Sequence, residues 1–223
     1  MCYVFMEKKK TNTAHDIIGA YMKQILEHGE RPKSIYAFAQ KIKMKESEIY
    51  DHFGSFEAIE KSIFKAFFDN TKVLLDKNKE YQTFDAKNKL LSFYYTFFEV
   101  LKANRSYVLF ALGKDKNKLK ALINLSSLKK AFQEYIEELD IETINLKEEK
   151  IEKLKNRSMA ELTWAQLLFT IKFWMEDGSP GFEKTDVLIE KSITTGFALI
   201  DNAALNSVFD LGKFLFKEKM TAN

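Results

Sequence analysis

Apolar residues recur along most of this chain at intervals of three and four, the period of an amphipathic helix, rather than in the strict alternation of a half-buried strand. The pattern predicts an all-α protein. From Thr13 to His28, the residues Ile17, Ile18, Tyr21, Met22 and Ile25 form one stripe, with Thr11, Asn12 or Thr13 as the cap and Gly29 as the stop. Ser34 then caps a short helix, "IYAFAQKI", whose Ala37 and Ala39 are small enough for close packing. After a tight connection at Lys43-Met44, "KESEIYDHF" offers Ile49, Tyr50 and Phe53 as its apolar positions. Ser55 caps a long helix, "FEAIEKSIFKAFFDNTKVLLD", with Glu57 in its first turn. Three short helices followed by a long one, the second and third joined by about three residues, have the spacing of a helix-turn-helix.

A polar interval, "KNKEYQTFDAKNK", marks a boundary near residues 76–89 and divides the chain into a head, 1–75, and a larger part, 76–223. Beyond it the period continues through "LLSFYYTFFEVLKAN", "RSYVLFALGK", "LKALINLSSLKKAFQEYIEEL" and "KEEKIEKLKNRSMAELTWAQLLFTIKFWMED". After a turn at "GSPGF" come "EKTDVLIEKSITTGFALIDNAAL" and a last helix through "SVFDLGKFLFKEK". No repeat is visible, so this part reads as a helical bundle.

Composition agrees with helices. Of 223 residues, 20 are Phe but only 8 are Gly and 2 Pro, the residues that punctuate sheets and loops. A single cysteine, Cys2, excludes an internal disulfide. The longest apolar stretches are interrupted by polar residues and fall short of the roughly 20 residues that a membrane-spanning helix needs. The start, "MCYVFMEKKK", lacks the basic leader of a secretory signal, so a cytoplasmic location is expected.

The formal net charge of +3 conceals an uneven distribution. Residues 1–45 hold nine Lys or Arg against four acids, and residues 46–60 hold five acids and no base. His15, His28 and His52 lie on separate segments. No phosphate-binding glycine loop, nucleophile elbow or Cys/His metal spacing accompanies them, so neither an enzyme nor a metal or other cofactor is expected.

The first helix ending in His28-Gly29, the stretch "SIYAFAQKIKMKESEIYDHF" and the "GSFEAIEKSIF" start of the long helix together resemble the TetR family of bacterial transcriptional regulators. That resemblance implies a DNA-binding head and an α-helical body that binds a ligand and dimerises. It implies a recognition helix over Lys45–Phe53 and a partner helix over Ser34–Lys41. Ser34 would offer an amide and a hydroxyl to phosphate, Tyr50 and His52 would touch the phosphate backbone, and Lys45 and Ser47 would reach base edges. Lys43 joins them through its charge, as do Arg31, Lys33, Lys41, Lys61 and the "EKKK" arm at Glu7–Lys10.

The chain also departs from the family pattern. Ser47-Glu48 stands where a small residue and Thr are common, and Phe56 stands where a Lys commonly grips phosphate. Glu46, Glu48 and Asp51 place three acids on the reading helix, against the charge of DNA.

In the second part, Phe93, Tyr94, Phe97, Phe98, Tyr107, Phe110, Trp164, Phe169 and Phe173 are the candidate lining of an apolar ligand pocket, and they serve equally as an ordinary aromatic core. The resemblance further implies a homodimer. Two late helices from each chain would pair across small residues such as Ser192, Thr195, Gly196 and Ala203, and two heads would be presented to a palindromic operator. The turn "EDGSPGFEKT" is similar to a stretch in lipid-binding ubiquinone-biosynthesis proteins of related fold, and reads as readily as a plain glycine-proline turn. Two functions therefore stand: a TetR-like regulator whose operator binding responds to an apolar or amphipathic ligand, and a lipid- or small-ligand-binding protein of the same fold that no longer binds DNA.

Overall fold

The architecture comes from a computed structural model, which describes residues 13–113, 124–139, 141 and 149–200. The basic arm at Lys8–Lys10, Ala203 and the helix expected over "SVFDLGKFLFKEK" lie outside them. Among the described residues the regular structure is helical, with no strand.

Helix α1, Ala14–His28, begins in a capping box. The Thr13 hydroxyl accepts from the Asp16 N–H at 3.3 Å, and the Asp16 carboxylate accepts from the Thr13 N–H at 3.0 Å. It ends at Gly29, whose φ of 69° is the left-handed conformation a glycine adopts without steric cost. Helix α2, Ile35–Lys41, is capped by Ser34, which accepts from the Ala37 N–H at 3.1 Å. Of its two alanines, Ala39 is buried and Ala37 is exposed.

The chain turns at Lys43, which adopts φ 57°, and enters α3, Glu46–Tyr50. This helix is shorter than the nine residues predicted, because Lys45 is its extended cap and the chain tightens into a turn after Tyr50, where the His52 N–H donates to the Ile49 carbonyl, three residues back, at 3.0 Å. Ser55 accepts from the Ala58 N–H at 3.2 Å to start α4, Phe56–Asp76. Helices α5, Ala86–Ala103, α6, Arg105–Gly113, α7, Ser126–Glu138, α8, Glu149–Glu176, and α9, Glu183–Ile200, follow.

These helices form two compact units that interleave along the chain. The first comprises the residues up to Asp69 and Leu101–Leu128. Within it α6 packs on α1, burying Tyr107 and Val108. The second comprises Asn70–Val100 and the residues from Lys129 onward. It includes a 3-10 turn, Lys79–Thr83, inside the polar interval. Tyr81 in that turn is buried, and its hydroxyl lies 2.9 Å from that of Tyr135.

The core of the first unit meets at three rings, with Tyr21 of α1 stacked 5.5 Å from Phe56 of α4 and Phe38 of α2 edge-on to both. In the second unit, Ala160, Trp164, Leu167, Ile171 and Trp174 recur at threes and fours on α8 and are all buried. Between α8 and α9, buried Asp177 accepts from the N–H and hydroxyl of Ser179 at 2.9 and 2.6 Å, and from those of Thr185 at 3.0 and 2.7 Å. Gly181 and Phe182 both take positive φ there, and the Phe182 ring rests 5.7 Å from Trp174. Among the described residues, no helix is long and apolar enough to cross a membrane.

Candidate nucleic-acid interface and ligand-binding interior

Helix α3 is anchored from one side. Met44, Ile49 and Phe53 are buried, so the residues between them must face outward. Lys45, Ser47, Tyr50 and His52 are all exposed, as are Ser34 at the start of α2 and Lys43 in the turn. The structure thus brings all six predicted DNA-contacting residues to the surface of one short helix pair. It adds Tyr36 on α2, which is 59% exposed and which the sequence pattern did not single out.

Two of the three acids on this helix have partners close by. Glu48 accepts from the Lys45 backbone N–H at 2.7 Å, closing the first turn and opposing the positive end of the helix dipole. Glu46 accepts from the Tyr50 hydroxyl at 3.1 Å. That hydrogen bond, with some burial and the charge of Glu46, raises the Tyr50 pKa and keeps the phenol a neutral donor. Asp51 is exposed. Phe56, where the family pattern has a phosphate-gripping lysine, is instead one ring of the three-helix core.

Arg31, grouped by charge with the lysines in the sequence, points to α4. Its Nε and Nη2 donate to the two oxygens of Glu60 at 3.1 and 2.6 Å, and its Nη1 donates to Glu57 at 2.5 Å. The guanidinium also lies 5.9 Å from the centre of the Phe56 ring. Glu60 is buried and additionally accepts from the Tyr21 hydroxyl at 2.6 Å. Burial, reinforced by the hydrogen bond to Glu60, pushes the Tyr21 pKa far up. Burial alone would lower the Arg31 pKa, but Glu60 and Glu57 more than offset it and hold the guanidinium charged. Lys41 likewise turns to α1, where it contacts His28 and lies 3.7 Å from Glu27.

The interior of the second unit is aromatic. Phe93 stacks on Phe97 at 5.5 Å and lies 4.8 Å from Tyr135 and 5.6 Å from Phe132, while Phe98 meets Trp174 at 6.0 Å and Phe132 meets Trp164 at 6.3 Å. Buried Tyr94 donates to the side-chain oxygen of Gln166, whose amide donates to Ser192 at 2.9 Å, linking α5, α8 and α9 through uncharged groups. Burial holds the Tyr94 pKa well above that of an ordinary phenol.

Of the nine predicted pocket residues, Phe93, Tyr94, Phe97, Phe98 and Trp164 are buried in this unit. Tyr107 is buried in the first unit, 6.4 Å from Phe64, and Phe110, on the same helix, is half-buried. Phe173 is half-buried and Phe169 is 58% exposed. Phe169 shares the outside of α8 with Leu162, and Val187 and Leu199 are exposed on α9, which packs against α8. Of the small residues expected at a dimer contact, Thr195 is exposed, while Ser192 and Gly196 are half-buried. Among the described residues, no three His, Cys, Asp or Glu side chains converge as a metal site.

Comparison with known proteins places this arrangement. A structure of the fatty acid degradation regulator FadR from Bacillus halodurans superposes with a TM-score of 0.52 at 18% identity, covering 81% of this chain and 97% of that one, a likeness in fold. No curated protein matches in sequence. A family model described as "Tetracyclin repressor-like, C-terminal domain" matches residues 89–215, more than half of the chain. On that match, over a helix-turn-helix that precedes it, the chain belongs to the TetR family of transcriptional regulators.

Proposed function

We propose that the protein is a cytoplasmic homodimer that binds a palindromic DNA operator through α2 and α3 and releases it in response to an apolar or amphipathic small ligand. The functional division falls near residue 75, between a reading head and a body that binds ligand and dimerises. The observation that carries the reading is the anchoring of α3 by Ile49 and Phe53, which leaves Lys45, Ser47, Tyr50 and His52 exposed together. In this reading Lys45 and Ser47 meet base edges, and Ser34, Lys43, Tyr50 and His52 meet phosphates.

Leu162, Phe169, Val187 and Leu199 supply the apolar face for dimerisation, since exposed apolar groups of this size on packed helices mark interfaces. Phe169 fits that face better than a pocket. The rings around Phe93, Tyr94, Phe97, Phe98 and Trp164 would contact the ligand, and acyl-chain compounds are the first class to screen, given the fatty-acid regulator of similar fold. A ligand that prefers one spacing of the two heads would shift the population away from the operator-bound spacing.

The test is binding to the DNA upstream of the protein's own gene as salt is varied. The expected result is a footprint and a steep fall of affinity with salt, with the slope reduced by about 1 in Lys45→Ala. Glu46, Glu48 and Asp51 favour a second reading, a lipid- or small-ligand-binding protein that has lost DNA affinity. A slope near zero and no footprint would establish that reading instead. Native mass spectrometry of the purified protein identifies any small molecule that travels with it.

A further inference from the structure

We propose that Arg31 is the positioning residue that sets the orientation of the reading helices on α4. Gly29, Glu30, Arg31, Pro32, Lys33 and Ser34 join α1 to α2, and Arg31 is the point at which this connection grips α4. The grip is directional: a planar fork on both oxygens of Glu60 and a third N–H on Glu57. The Tyr21 hydroxyl meets the same Glu60 oxygen as Arg31 Nε, so one buried carboxylate of α4 holds both α1 and the start of α2.

Pro32 is itself buried and restricts Arg31 to extended backbone, which presets the reach of the side chain. The other ties described above are the ring contacts among α1, α2 and α4, which tolerate sliding, and the exposed contact of Lys41 with His28 and Glu27, which joins α2 to α1 but not to α4. A rotation of α4 is therefore carried through Arg31 into Ser34 and α2, and from α2 into α3, which packs on it. Arg31 contributes to operator recognition through this geometry and not through its own charge at the DNA.

The inference rests on the DNA-binding reading for one of its two readouts. The first is amide hydrogen exchange over Ile35–Phe53 in the DNA-free protein, comparing wild type with Arg31→Lys and Arg31→Gln. Lysine keeps the charge and loses the fork, and is expected to speed exchange there by roughly tenfold, the scale of one charge-assisted hydrogen bond. The second is affinity for operator against random DNA. Arg31→Lys is expected to weaken operator binding by roughly tenfold while leaving random-DNA affinity and the salt slope unchanged.

A residue that served only global stability would lower both affinities together. Unchanged exchange overturns the proposal, and so does an Arg31→Gln salt slope smaller by about 1, which would make Arg31 a phosphate contact. If wild type binds no operator, the DNA-binding reading fails and the exchange result still decides on Arg31. If Arg31→Gln does not fold, Arg31→Lys decides alone.

Discussion

The two units bury tyrosine in different company. Tyr21 in the head donates to a carboxylate already held by an arginine, whereas Tyr94 in the body donates to a neutral amide amid phenylalanine and tryptophan rings. A buried ionic network has one good geometry and penalises every departure from it, because a lost partner leaves an uncompensated charge. A ring cluster with neutral hydrogen bonds resists loss of volume but tolerates rotation and repacking. The head holds its arrangement through directional charged bonds, and the body holds its own through packed ring surfaces.

The largest test of this contrast is Phe93→Ala. It removes a fully buried ring that stacks on Phe97 and meets Tyr135 at a tilt, and is expected to cost about 3–5 kcal/mol in urea unfolding. A cost below about 1 kcal/mol would mean that the body interior is already loose. Next comes a matched pair, Tyr21→Phe and Tyr94→Phe, each deleting one hydroxyl from a fully buried ring. The head variant is expected to lose about 2–3 kcal/mol and the body variant about 1 kcal/mol, since bonds to charged partners are the stronger. Equal losses would erase the distinction.

Asp177 tests whether a carboxylate in the body behaves like those of the head. Burial alone would raise its pKa, but the bonds from Ser179 and Thr185 outweigh burial and hold the carboxyl well below the usual carboxylate range. Its folded pKa is thus depressed, so its contribution is complete above the unfolded value of about 3.9 and is lost as pH falls below that. Asp177→Asn is expected to cost about 2 kcal/mol at neutral pH and to flatten the acid limb of the stability curve. An unchanged limb would show that another group governs it.

The smallest effect has the opposite sign. Lys43 sits at φ 57°, where a side chain is strained, so Lys43→Gly is expected to stabilise the head by about 1 kcal/mol in thermal unfolding. If Lys43 meets phosphate as proposed, operator affinity falls in the same variant. Stability and affinity falling together would mean that the turn is held by more than local backbone preference.

What sequence made legible is what depends on neighbours within one turn of helix. Thr13 and Gly29 bound α1, Ser34 and Ser55 start their helices, and the placing of α2, α3 and α4 follows from period and caps alone. The buried rings of α5 were equally readable, because that helix is apolar around most of its circumference. Partnerships across 26 or 29 residues were not, and charge counting therefore grouped Arg31 with the lysines although Glu57 and Glu60 hold it.

The bonds that Glu46 and Glu48 accept from Tyr50 and from a backbone N–H were likewise invisible to a carboxylate count, and they fix where the two negative charges sit without removing them. Helical period alone also did not reveal that the Phe169 ring is 58% exposed. Tyr81 shows the limit from the other side, since a buried tyrosine within a polar interval has no periodic signal at all.

The two tryptophans of the chain, Trp164 and Trp174, both lie in the body, each buried against aromatic rings. Emission excited selectively in tryptophan therefore reports on one unit alone, and the unit that contains α2 and α3 is optically silent without any engineered label. In a titration with candidate operator DNA, a change in that emission that survives correction for absorbance by the DNA comes from the unit that does not contain α2 and α3. The chain thus holds a built-in, one-sided optical record of whether adding DNA alters the aromatic interior around Trp164 and Trp174.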